Sequence, residues 1–256
     1  MNPCAWLLGE AAGIPLAAGS GAEWRQNHLL ASLPPTLRQR WASQATSVYL
    51  KAGQTLHEAG ALLQWVYFPV SALVSLSMQD RNGVTSEVAA VGPEGVVGLP
   101  LLDGNYTRSR AVVQGAGRAV RLRASTLADD FVHQPAVREL LLAYSQALVA
   151  EIMQIALCAR HHTVEQQLSR LLLLRLDRQP GDTLCMTQEA MAGMLGVRRE
   201  SVTLCAARLQ QAGLIRYARG HIAVLDRHGL HARSCDCYDT LRHEFDRLLK
   251  PRPQVA

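Results

Sequence analysis

MTQEAMAGMLGVRRESVTLCAARLQQAGLIRYARGHIAVL, residues Met186–Leu225, decides the reading of this chain. Thr187 can cap a helix, because its hydroxyl oxygen accepts from an amide of the first turn. The apolar face of that helix is Met191, Met194 and Leu195. Gly196 then stands where a left-handed residue is wanted, and glycine adopts that conformation without a Cβ penalty. A second helix is expected from about Arg198 to Ala212, with Val202, Cys205, Ala206 and Leu209 turned inward. Its outward N-terminal face is Arg198, Arg199, Glu200, Ser201 and Thr203. Gly213 ends it, and Leu214–Leu225 reads as a hairpin carrying Arg216 and Arg219. This is the order of a winged helix-turn-helix.

Such a helix suits the major groove of double-stranded DNA, which it enters with its first turns toward the base edges. An arginine matches guanine O6 and N7 with two donors, and a glutamate can accept from cytosine N4. Arg199 and Glu200 offer both kinds of readout. Ser201 and Thr203 carry hydroxyls for phosphate or base, and Thr187 and Gln188 open the preceding helix beside them. Arg216 and Arg219 are placed to meet the phosphate backbone.

Working toward the N-terminus, a helix is expected over Thr163–Arg178, stopped by Gln179-Pro180-Gly181-Asp182. Before it, Pro135–His161 reads as one long helix. Leu141, Ser145, Leu148, Ile152, Ile155 and Ala159 recur on it at alternating spacings of four and three. That is a coiled-coil-like seam for a second copy of the chain; a helix lying on its own barrel is the other reading. From Thr46 to Arg123 short β-branched or apolar runs alternate with glycine and polar turns, the pattern of a small barrel or sandwich. A short helical region covers Asn27–Ala45, with Pro34 and Pro35 between two helices.

The segments Thr187-Gln188-Glu189, Leu195–Thr203, Leu209 and Gly213-Leu214-Ile215 resemble the Crp/Fnr family of bacterial transcription regulators, over about residues 28–225. The resemblance implies a cyclic-nucleotide-binding-type barrel, a long dimer helix and a C-terminal winged helix. It also implies base contacts by Arg199 and Glu200. A further base-contacting arginine of cyclic-AMP-responsive members falls near Leu204, so the operator should differ there. Gly92–Pro100, followed by Arg108-Ser109-Arg110-Ala111, resembles the family's phosphate-binding cassette. Where that cassette has a glutamate for the ribose hydroxyl, this chain has Leu99. An apolar residue there leaves a polar ligand group unpaired, which argues against cyclic AMP. Gly98, Leu99, Arg108, Ser109 and Arg110 are the candidate ligand residues, for an unidentified small effector or none.

The fold class expected is α+β. Residues 1–26 form a loose tail and 27–133 a jelly-roll-type, cyclic-nucleotide-binding-like sensor barrel with flanking helices. Residues 134–161 form the dimerisation helix, and 162–256 the winged helix-turn-helix with a helical tail. The chain's 48% hydrophobic content is enough for a substantial core. Its formal net charge of +5 modestly favours an acidic partner. Much of the arginine follows residue 160, as Arg170, Arg198, Arg199, Arg208, Arg216 and Arg219. Six scattered cysteines read as reduced thiols of a cytoplasmic protein. Among the N-terminal residues only Cys4 is a cysteine, so the cysteine run that holds an iron–sulfur cluster in some relatives is not present.

No apolar run reaches the roughly 20 residues needed to cross a bilayer, and no membrane partner is expected. No Walker loop or nucleophile elbow is present, so an enzyme is not expected. No metal or cofactor is expected. His228, His231, Cys235, Cys237 and His243 are close in sequence, but a helix would scatter them. They leave a redox or metal switch open as an alternative. A sensing module acting on a protein partner is another, and RNA polymerase is an open further partner. Both alternatives stand behind a homodimeric regulator on a palindromic operator.

Overall fold

The computed structural model describes residues 14–15, 21–81, 83, 85–99, 106–179 and 181–249. Cys4 and Pro100 lie outside them, as does most of the segment expected to be a loose tail. Its described parts are not loose. Strand β1 (Ile14–Pro15) pairs with β2 (Thr46–Leu50), and α1 (Gly21–Trp24) buries Glu23 and Trp24.

The barrel is two antiparallel four-stranded sheets. The remaining strands are β3 (Thr55–His57), β4 (Trp65–Pro69), β5 (Leu73–Gln79), β6 (Thr85–Val91), β7 (Arg110–Gly115) and β8 (Gly117–Arg123). One sheet runs β1-β2-β8-β4 and the other β3-β7-β5-β6. Strands β2 and β4–β8 fall on the apolar and β-branched runs of the Thr46–Arg123 stretch; β1 and β3 are too short to leave a period. Val48, Leu50, Tyr67, Val74, Val91, Val97, Ala111 and Val113 fill the space between the sheets.

Helices α2 (His28–Ser32), α3 (Pro35–Ala42), α4 (Ala124–His133) and α5 (Pro135–His161) cover the outer face of β4 and β8. Asn27 caps α2 by accepting from the Leu29 and Leu30 amides, each at 3.1 Å. Its amide group donates to Pro69 O and Gly95 O, both at 2.9 Å. Pro35 begins α3 and Pro135 begins α5, in first-turn positions where the missing N–H costs nothing. Trp41 lies in this core and donates to buried Asp130, which also pairs with Arg40.

Helix α6 (Val164–Arg178) starts at a capping box in which Thr163 and Gln166 satisfy each other's backbone amides. It becomes the hydrophobic spine of the C-terminal domain, together with β9 (Thr183–Cys185), α7 (Gln188–Leu195), α8 (Arg199–Gln211), β10 (Ile215–Ala218) and β11 (His221–Val224). The wing is a three-stranded sheet, β10-β11-β9, with β9 unforeseen. Helices α9 (Arg227–Ala232) and α10 (Cys237–Leu249) complete the chain. Tyr238 and Leu241 pack into the winged domain, whereas Phe245 and Leu249 rest on the barrel's helical core. The tail helix therefore bridges the two domains.

Candidate nucleic-acid interface

Local chemistry builds the helix-turn-helix. Thr187 Oγ1 accepts from Ala190 N at 3.1 Å and starts α7. Gly196 ends it in the left-handed region, φ 65° and ψ 32°. Arg198 is the N-cap residue of α8, without a side-chain cap bond. Val202, Cys205, Ala206 and Leu209 are buried on one face of α8, as the spacing predicts. Burying a valine or leucine stabilises by about 1.5–3 kcal/mol, so this face fixes the helix's rotation.

The opposite face is therefore outward. Arg198, Arg199, Glu200 and Thr203 are exposed and Ser201 is half-buried. Among the described residues, Arg198, Arg199 and Glu200 have no ion-pair partner. Their charges are thus not neutralised within the fold. Thr203 is differently placed from expectation. Its hydroxyl faces Gln188 Oε1 at 2.7 Å and Arg199 O at 3.0 Å, so it braces α8 against the start of α7. Leu204 is 61% exposed on the same outward side.

Arg216 and Arg219 are exposed on the wing. Pairing of Ala218 with His221 leaves Arg219 and Gly220 as a two-residue turn, with φ 49° and 81°. Two positive φ values mark the turn type that matches hairpin twist. Arg219 is the non-glycine residue in that region among the described residues.

Not all the arginine of this half faces outward. Arg170, Arg175 and Arg178 are buried. Arg178 Nε lies 2.8 Å from Glu94 on the barrel, and its Nη1 and Nη2 lie 3.0 and 3.1 Å from the two Glu151 oxygens of α5. Burial pushes the Glu151 carboxyl up, and Arg178 pulls it back. Arg175 pairs with Glu87 on β6.

The cassette-like loop of the barrel is occupied by the chain itself. A Cβ on Gly95 would lie 2.5–2.7 Å from the Tyr144 ring, and one on Gly92 3.0 Å from Arg178. These glycines admit α5 and α6. Gly98 has φ 83°, and Leu99 packs against the helical core. Arg108 is exposed, and Ser109 sits beside Thr107. Arg110 is directed at Glu58, 3.1 Å away, and at Thr55.

The expected dimer seam needs correction at its N-terminal end. Leu141 is 1% exposed inside the protomer's own core, and Leu148 packs partly against it. The Ser145 hydroxyl donates back to Leu141 O. Ile155 is half-buried, while Ile152 and Ala159 are exposed. The uncovered apolar surface of α5 includes Ile152 (39% exposed) and, beside it, Leu142 (53%), Val149 (53%), Met153 (66%) and Leu157 (49%). Toward the N-terminal end it lies one residue on from the expected positions, at Leu142 and Val149 in place of Leu141 and Leu148.

Residues 166–233 match the family described as a Crp-like helix-turn-helix domain. Solved structures share the fold over most of both chains. FixK2 from Bradyrhizobium japonicum aligns with a TM-score of 0.62 at 17% identity, covering 75% of this chain and 98% of that one. A transcriptional regulator of the CRP/FNR family from Thermus thermophilus aligns with a TM-score of 0.61 at 23% identity, again over 75% and 98%. No curated protein matches the chain.

Proposed function

This chain carries a Crp-like helix-turn-helix domain on the fold of the Crp/Fnr regulators, and on that premise we propose that it is a homodimeric, sequence-specific transcription regulator. One observation carries the reading. The first turn of α8 holds Arg198, Arg199 and Glu200 exposed and unpaired, while the buried face of the same helix prevents it from turning them inward. Arg199 reads a guanine and Glu200 a cytosine, and the apolar Leu204 meets a thymine methyl. Gln188, Arg216 and Arg219 hold the sugar-phosphate backbone.

Two recognition helices related by a dimer axis through α5 read half-sites about 34 Å apart, hence a palindromic operator. The apolar stripe Leu142–Val149–Met153–Leu157 supports that axis. By length and composition α5 could also cross a membrane. Its other face, with Leu141, Tyr144 and ion-paired Glu151, is buried against this chain, which favours a protein partner. The signal at the barrel is not cyclic AMP. Leu99 offers no acceptor, Arg110 is engaged by Glu58, and Tyr144 and Arg178 fill the glycine loop.

Selection of bound sites from random DNA should return a two-fold-symmetric sequence. Arg199→Ala should then cost about 1–3 kcal/mol on that site and relax preference at one base pair per half-site. A variant that bound selected and scrambled DNA as the parent does would refute the assignment.

A further inference from the structure

Four potential metal ligands meet where the dimer helix ends. Cys158 and His162 lie four residues apart, one turn along the same side of the α5 terminus. Cys235 comes from the tight turn between α9 and α10, and Cys237 is the first residue of α10. They are therefore not on one helix turn of α10, and the bend at the start of α10 brings both sulfurs to the same point. The three sulfurs and the imidazole nitrogen all lie within 4.8 Å of one another. Cys158 Sγ and Cys235 Sγ are 3.5 Å apart, and Cys237 Sγ is 3.4 Å from His162 Nδ1. All three cysteines are buried.

We propose that Cys158, His162, Cys235 and Cys237 form a binding site for a single tetrahedral divalent ion, zinc by its ligand chemistry. With Zn–S near 2.3 Å, the edge of such a tetrahedron is about 3.8 Å, close to the separations seen. A polynuclear iron–sulfur cluster needs its thiolates spread around a cage and does not fit so tight a set. Thiolate and imidazole together select zinc over magnesium or calcium, which take oxygen.

The surroundings fit an occupied site. The Gln154 amide donates to Cys237 Sγ at 2.9 Å. Asp236 lies 3.7 Å from His162 Nε2, the nitrogen left free when Nδ1 binds metal. An acidic partner on the second nitrogen orients a ligating histidine. Three thiolates, one neutral imidazole and a divalent ion carry a net charge of −1. Arg170, 4% exposed and with its Nε unpartnered, lies within electrostatic range of Cys158 and balances it. His228, His231 and His243 take no part; His231 pairs with Asp239 instead.

The site ties the end of α5 to the α9–α10 turn beside the His162–Thr163 junction, where the chain passes into the winged domain. Metal there sets the angle between the dimer helix and the DNA-reading helix. Loss of the ion frees that junction.

The test is metal analysis of the full chain purified under reducing conditions, read independently of DNA binding. About one zinc per chain is expected. Cys158→Ser and Cys237→Ser should lose it, whereas Cys185→Ser on the wing should keep it. Asp236→Ala should weaken zinc about 10- to 100-fold. If the cysteine variants fail to fold, cobalt(II) added to chelator-stripped parent protein gives the answer. Tetrahedral d–d bands with thiolate charge transfer support the site. Parent protein without zinc whose cobalt spectrum stays that of the hydrated ion would overturn the proposal, as would a Cys158–Cys235 disulfide persisting in reductant.

Discussion

At the scale of single residues, Arg219 pays a conformational cost for its position. A non-glycine residue in the left-handed region is disfavoured by about 1–2 kcal/mol, and asparagine tolerates it better. Asparagine there would serve the turn, so the arginine is best explained by its charge on the wing. Arg219→Asn should therefore raise stability by up to about 1 kcal/mol in urea unfolding. It should also weaken binding to all DNA sequences alike and reduce the salt slope by about 1. Unchanged DNA affinity would remove the wing from the interface. Thr203 makes the opposite point. Its type and position suggest a DNA contact, but its hydroxyl is engaged by Gln188 and the Arg199 carbonyl. Sequence spacing locates a side chain on a face; it does not reveal which neighbour takes its hydrogen bond.

At the scale of elements, α5 shows why the face left uncovered is hard to read from a helix's sequence alone. Leu140, Leu141, Leu142, Leu148, Val149, Ile152, Met153, Ile155 and Leu157 make the helix apolar on several faces at once. A period of 3.5 can be drawn through more than one set of them. The barrel takes Leu141 and Tyr144, and this leaves Leu142, Val149, Met153 and Leu157 for a partner. Val149→Asp together with Met153→Asp should convert a dimer to a folded monomer in sedimentation, with circular dichroism unchanged. Binding to a full palindrome should fall toward the affinity for a half-site. A dimer that survived both charges would place the interface elsewhere. Helix α8 is easier to read, because Val202, Cys205, Ala206 and Leu209 form one stripe and, Leu204 and Ala207 apart, the rest of the helix is polar.

At the scale of the whole molecule, Arg178 joins three parts: Glu94 on the barrel loop, Glu151 on the long helix α5, and its own helix α6 in the winged domain. Removing one partner of a buried pair leaves a charge without compensation and costs about 3–5 kcal/mol. Arg178→Ala should show that loss in denaturant unfolding. Arg178→Met with Glu151→Leu should recover much of it, since apolar residues of similar volume often replace buried pairs at little cost. A single-variant loss below about 1 kcal/mol would mean that water reaches the network. At the same junction Gly92, Glu94 and Gly95 of the barrel meet Arg178 and Tyr144 directly.

The amino-acid sequence by itself determined what depends on local periodicity and backbone chemistry. Six barrel strands, the two proline-started helices, the Thr187 cap, the left-handed Gly196 and the outward face of α8 follow from side chains and φ preferences a few residues apart. Only the tertiary structure decided which stripe of α5 stays uncovered, which arginines are buried, and that Cys158 and His162 meet Cys235 and Cys237. Those outcomes depend on contacts between residues tens of positions apart in the chain. A one-dimensional pattern lists such groups but cannot say which of them packing brings within bonding distance.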